Sequence, residues 1–287
     1  MDILFEKITE GLRNILIQAI TMCLTGMFSD VNEKTSLLAG EIGKTPKAFN
    51  PQIFEALQKI HSEVAVPIAG VVVTFVLSYE LVSMLTDYNR MQVPDLITVA
   101  KWLAKAVLAI YIAGHAFDII MGVFDIGQWV VQKAEGTINS GGGIDAAAAI
   151  AGMDLSGYSV GELLLLLLES FLFSSLMFFI TVGTTIVVYV RMVEIYMYAS
   201  IAAVPMATFT DREFGSIGKN YLKGIIALSM QGFFLMVCIG IYDALVKNLA
   251  ITGNVFSYFP QIAVYTVLLL IVLFKTGQVA KSVFDVH

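Results

Sequence analysis

The sequence predicts an all-α fold: a polytopic membrane helical bundle of about five transmembrane helices. An N-terminal amphipathic helix and a re-entrant or cytoplasmic segment at 192–223 complete it. Three observations carry this expectation. Residues 163–190 read LLLLLLESFLFSSLMFFITVGTTIVVYV, with Glu169 as their single charge. As a helix this run would reach roughly 42 Å, beyond the ~30 Å hydrocarbon core of a bilayer. It is apolar on every side, which fits lipid or a buried bundle rather than a solvated surface. Next, the chain is 57% hydrophobic and 14% charged, where soluble domains carry about 25% charge. Lastly, other runs of comparable length repeat the pattern. The net charge of −6 argues against a dedicated nucleic-acid-binding surface, which would be basic.

Residues 1–28 read as an amphipathic helix. Leu4, Ile8, Leu12, Ile15, Leu16, Ala19, Cys23 and Met27 recur at three- and four-residue steps, with charged and amide residues between them. From Asn14 to Phe28 the run is apolar enough that a sixth crossing stays an alternative. No basic n-region or small-residue cleavage site opens the chain, so the membrane helices are expected to direct insertion. Residues 29–62 are polar and broken by Gly40, Gly43, Pro46 and Pro51. A first region, 1–62, is therefore expected outside the cytoplasm, and 63–287 forms the transmembrane domain.

The spans follow in order. Residues 64–85 are the first, with Pro67 in the opening turn, where its missing N–H costs little. Residues 102–124 are the second, with Trp102 suited to an interface and Lys105, His115 and Asp118 interrupting it. Residues 125–162 read as a long Gly-, Ala- and Ser-rich loop. Residues 163–190 are the third span. Residues 224–246 are the fourth, where Ser229, Gly232 and Gly240 allow close helix approach. Residues 255–274 are the fifth, with Phe256, Tyr258 and Phe259 as an aromatic collar.

Residues 191–210 are apolar enough to tempt another crossing, and the charge rule decides against it. Without that crossing, Arg90, Lys101, Lys105, Arg191, Arg212, Lys219, Lys223, Lys275 and Lys281 share one side, against Lys133 and Lys247 on the other. With it, the split becomes nearly even. Cytoplasmic loops carry the excess of Lys and Arg. Segment 192–210 should then bend back, re-enter or continue as a cytoplasmic helix, with Pro205 breaking it. The C-terminus is cytoplasmic in this topology.

No catalytic constellation stands out. His61, His115 and His287 lack metal-ligand spacing, Cys23 and Cys238 sit in apolar helical sequence as packing residues, and no phosphate loop or nucleophile elbow is present. Charges inside spans are the sharper signal, being costly there. His115, Asp118 and Asp125 fall within roughly an 80° arc of one helix; they suit a hydrophilic lumen, an ion-coupling site or interhelical pairing. Glu80 and Glu169 lie near membrane edges, where snorkelling competes with a lumen role. Arg191 reads as a headgroup anchor that stops the third span, with Glu194 three residues on as a neighbour on the same face. Arg191, Glu194, Arg212, Lys219 and Lys223 are candidates for contact with a cytoplasmic partner.

Several runs resemble the TrbL-like conjugal transfer proteins, polytopic membrane subunits of type IV secretion systems, in the version carried by Gram-positive mobile elements. They are MDILFEKITEGL (1–12), VPIAGVVVTFVLSYEL (66–81), MGVFD (121–125), RMVEIYMYASIAAVPMATFTDREFG (191–215), NYLKGIIALSMQGFFLMVCIGIYDALV (220–246) and YTVLLLIVLFKTGQVAKSVF (265–284). The resemblance implies about five helices, an extracytoplasmic N-terminus and homo-oligomerisation around a translocation path. Implied partners are other secretion-channel subunits and their ATPases; no enzymatic activity and no cofactor are implied. Two functions of different class stay open, the first from the resemblance and the second from the charges inside the spans. One is a channel subunit that lets single-stranded DNA with its attached relaxase, or protein, cross the cytoplasmic membrane. The other is an ion-coupled transporter using His115 and Asp118 as a proton relay.

Overall fold

The computed structural model describes residues 2–87, 96–138, 155, 157–247 and 255–286. They are mostly helical, with no strand among the described residues. Helix α1 is Asp2–Ile42. It passes the point where the sequence suggested polar loop and stops at Gly43. Its buried seam is Leu16, Ile20 and Leu24, while Ile8, Leu12 and Ile15 of the expected apolar face are exposed. Two short helices follow, α2 (Pro46–Phe49) and α3 (Pro51–Ile60). Pro46 and Pro51, expected as breakers, each open a helix, where a missing N–H is harmless. Thr45 Oγ1 accepts from the Ala48 N–H at 3.2 Å, and Asn50 Oδ1 from that of Ile53 at 3.0 Å.

Helix α3 runs through a π-turn, His61–Ala65, into α4 (Val66–Asp87). The first apolar helix is thus Pro51–Thr86, longer than the expected 64–85. Next come α5 (Leu96–Gly114) and α6 (Ala116–Ile138). The expected second span, 102–124, is broken at His115. Gly114 is a weak helix former, and His115 Nδ1 shares the Tyr111 carbonyl, at 3.0 Å, with the backbone N–H of His115. The apolar span is Leu96–Gly114. Helix α6 covers 125–138, the start of the presumed loop; residues 139–154, with the triple glycine, lie outside the described residues.

Helix α7, Val160–Ile201, is 42 residues long, roughly 63 Å. A capping box opens it: the Ser159 N–H donates to Glu162 Oε2 at 2.7 Å, and the Glu162 N–H to Ser159 Oγ at 3.3 Å. Arg191 does not end it. It ends where Pro205, having no N–H, leaves the Ile201 carbonyl without its helical donor. After the single turn α8 (Ala203–Met206), α9 runs Gly215–Lys247. The polar connector is therefore shorter than expected, and Lys219 and Lys223 stand in the opening turns of α9. Helix α10 is Val255–Val283, so most of the presumed tail is helical. Its end is a Schellman cap. Asp285 takes φ +51°, and the Val286 N–H reaches back to the Lys281 carbonyl at 3.0 Å.

The chain divides into two compact units of non-contiguous segments: Met1–Ile42, Lys133–Val188 and Leu235–Lys275 form one; Gly43–Gln132, Tyr189–Phe234 and Thr276–His287 the other. In the first, Arg13 Nε donates to the Tyr158 carbonyl at 3.2 Å, and the Tyr242 and Thr266 hydroxyls lie 3.1 Å apart. A Cβ on Gly183 would come within 2.8 Å of Leu270. In the second, alanines make the core: Ala65 and Ala69 of the first apolar helix, Ala109 and Ala113 of α5, Ala199, Ala202 and Ala203 around the end of α7. Small residues let helix backbones approach closely where lipid supplies no hydrophobic drive. Met192, Ile195, Ile225 and Leu228 fill the rest.

Candidate functional site

In the second unit the loop between α1 and α3 is stitched down by polar groups. Gln128 Nε2 donates to the Lys44 carbonyl at 2.7 Å and the Tyr196 hydroxyl to the Pro46 carbonyl at 2.6 Å, while Phe49 packs edge-on against Tyr189 at 5.0 Å. This fixes the Tyr189–Ile201 stretch of α7, and with it Arg191. Arg191 is 1% exposed, so it is neither a headgroup anchor nor a surface for partners. The physical reason is room: α9 offers Gly232, where a Cβ would lie 2.7 Å from Arg191 Nη2. The guanidinium faces the carbonyls of Leu228 and Ser229 at 3.5 Å. Ser229 Oγ in turn donates to the Val123 carbonyl of α6 at 2.9 Å, and Gly127 leaves the space for Ser229.

The other charged candidates scatter. His115 is exposed and stacks on Tyr111 with ring centroids 4.3 Å apart; Asp118 and Asp125 are exposed on α6. Glu169 is half-buried in the first unit, and Glu194 is half-buried on α7. Lys223 pairs with Asp285 at 3.3 Å, while Arg212 and Lys219 are exposed. Two candidates do come together. Glu80, ion-paired with Lys105, and Arg212 line one cavity where the end of α4, the start of α5 and the connector before α9 meet. Sequence reading missed Lys105 as the partner of Glu80, because pairing between helices leaves no spacing signal. It weighed His61 only for metal-ligand spacing, whereas the ring is buried against Phe117 with centroids 5.2 Å apart. A histidine in an otherwise polar stretch gives no hint of burial.

Among the described residues, five helices are long and apolar enough to cross a membrane, and large apolar side chains such as Phe75, Leu165, Phe178 and Phe179 stand exposed on them. This is a multi-pass membrane protein. Residues 31–203 match the family described as TrbL/VirB6 plasmid conjugal transfer like protein, and the chain belongs to that family. Membership implies a membrane subunit of conjugal transfer, related to type IV secretion. Neither a search of the curated proteins nor one of the solved structures gives a match.

Proposed function

We propose that the protein is a structural subunit of a translocation channel in the cytoplasmic membrane, taking single-stranded DNA with its relaxase, or protein cargo, out of the cell. The observation that carries this reading is the family match over 31–203, the stretch that contributes three of the five apolar helices. Copies of the chain assemble around the path, and partner ATPases supply the energy. The C-terminus is cytoplasmic, by the asymmetry of lysine and arginine. Contact with the ATPases falls to Lys219, exposed in the opening turns of α9. A path lined by carboxylates would repel DNA phosphates, so the lumen is wide and wet or shared with other subunits.

The test is formaldehyde crosslinking during transfer, followed by immunoprecipitation of the tagged chain and amplification of the transferred strand. Recovery of that strand above a non-transferred control supports the channel; normal transfer from cells deleted for the gene overturns it. The ion-coupled alternative is separated by Asp118→Asn. DNA transfer is expected unchanged in that variant, whereas a proton relay would fail.

A further inference from the structure

A cavity of about 570 Å³ opens in the second unit among Tyr79, Glu80, Lys101, Trp102, Lys105 and the 210–213 connector. Its volume is within the usual range of small-molecule sites, about 300–1,000 Å³. Its depth in the membrane follows from the helices. The cavity sits near the last turns of α4 and the first turns of α5, and its six charged side chains belong where hydrocarbon gives way to water. The Trp102 indole lines it, with Nε1 donating to the Leu77 carbonyl at 3.3 Å. Indoles favour that boundary. Exposed Val82 and Leu103 continue the same helices as apolar surface.

Three cations (Lys101, Lys105, Arg212) and three carboxylates (Glu80, Asp211, Glu213) line the cavity. Lys105 and Glu80 satisfy each other. Lys101 and Arg212 have no ion pair among the described residues. Asp211 uses Oδ1 on the N–H groups of Glu213 and Phe214, at 2.8 and 2.6 Å, and Glu213 meets the Tyr79 hydroxyl. Both carboxylates keep acceptor capacity. The charge left to a ligand is therefore two-signed. A purely anionic head would meet Asp211 and Glu213; a purely cationic one would meet Lys101 and Arg212. A head carrying a phosphate and an N–H-bearing ammonium satisfies both pairs.

We propose that this cavity binds the phosphoethanolamine head of a zwitterionic phospholipid, its phosphate on Lys101 and Arg212 and its ammonium on Glu213 and Asp211. The acyl chains then run along the apolar surface of α4 and α5. The site rests on the membrane placement of these helices and not on the transfer reading, so either can fail without the other. The 287-residue chain in detergent is incubated with equimolar phosphatidylethanolamine, phosphatidylcholine and phosphatidylglycerol, and separately with soluble phosphoethanolamine. Bound species are read by native mass spectrometry.

Phosphatidylethanolamine is expected to be retained over the other two lipids, because choline has no N–H to donate and glycerol has no positive charge. Lys101→Ala and Arg212→Ala should remove that adduct, while Lys219→Ala, outside the cavity, keeps it. Glu213→Gln should lose the preference for ethanolamine over choline. All four side chains are exposed, and unchanged melting temperatures identify folded variants. Preference for phosphatidylglycerol, no preference, or adducts indifferent to Lys101 and Arg212 would overturn the site. Binding of soluble phosphoethanolamine without any lipid adduct would overturn the lipid as its occupant.

Discussion

Arg191 keeps its place because residue 232 has no side chain. An added Cβ there would lie 2.7 Å from the guanidinium and 2.9 Å from Val131. Overpacking of this kind costs about 1–3 kcal/mol, and a buried arginine has no cheap route to water. Gly232→Ala should therefore lower the melting temperature in detergent. Gly70→Ala, with nothing within 4 Å of the new methyl, should hold it or raise it, since alanine is the better helix former. An unchanged melting point for Gly232→Ala would disprove the tight fit. The sequence showed that Ser229 and Gly232 permit close approach. It did not show what approaches, because the charge rule treats Arg191 as a count for one side of the membrane. Which carbonyls it faces depends on α9 lying against α7, and no local spacing encodes that.

Between α8 and α9 the chain reverses through a few side-chain contacts. Thr208 Oγ1 donates to the Pro205 carbonyl at 2.9 Å and accepts from the Gly218 N–H at 3.2 Å. Gly218 packs on backbone: its Cβ would stand 2.8 Å from the Pro205 carbonyl oxygen and 2.9 Å from Phe209 Cα. Backbone cannot step aside as a side chain can, so Gly218→Ala should be worse tolerated than Gly232→Ala, seen as a larger fall in melting temperature. Asp211→Ala removes the acceptor for two N–H groups ahead of α9 and should cost roughly 1 kcal/mol, as lost caps do; Asp211→Asn should recover most of it. Equal melting temperatures for the two Asp211 variants would rule out the capping role. Pro205 made the end of α7 legible. The early start of α9 was not, because Asp211 and Gly215 look like any polar turn until Thr208 is seen to bond Gly218.

At the scale of the molecule, the number of apolar helices among the described residues was legible, since length and greasiness alone define them. Their limits were less so. Each of the five extends beyond or shifts from its expected bounds, because helices continue into polar sequence wherever tertiary contacts hold them. Orientation still rests on the charge asymmetry. A cysteine at the last position, His287→Cys, should react with an impermeant maleimide only after the cells are opened; labelling of intact cells would invert the topology. Assembly is the second prediction at this scale. In detergent or nanodiscs, native mass spectrometry should find multiples of the 31.3 kDa chain, and a purely monomeric species would remove the self-assembled path.

The π-turn at His61–Ala65 leaves a phase to be reckoned. Phe54 packs edge-on against Phe117 at 5.5 Å, and Val73 belongs to the same core. From 54 to 73 is 19 steps, and at about 100° each they would overshoot whole turns by about 100°. The wide turn absorbs that surplus, as an inserted residue does in an otherwise regular helix. Excising exposed Glu63 should then leave both contacts in phase and the protein monodisperse on size exclusion. Excising Thr74, also exposed, should rotate everything beyond it and yield aggregate.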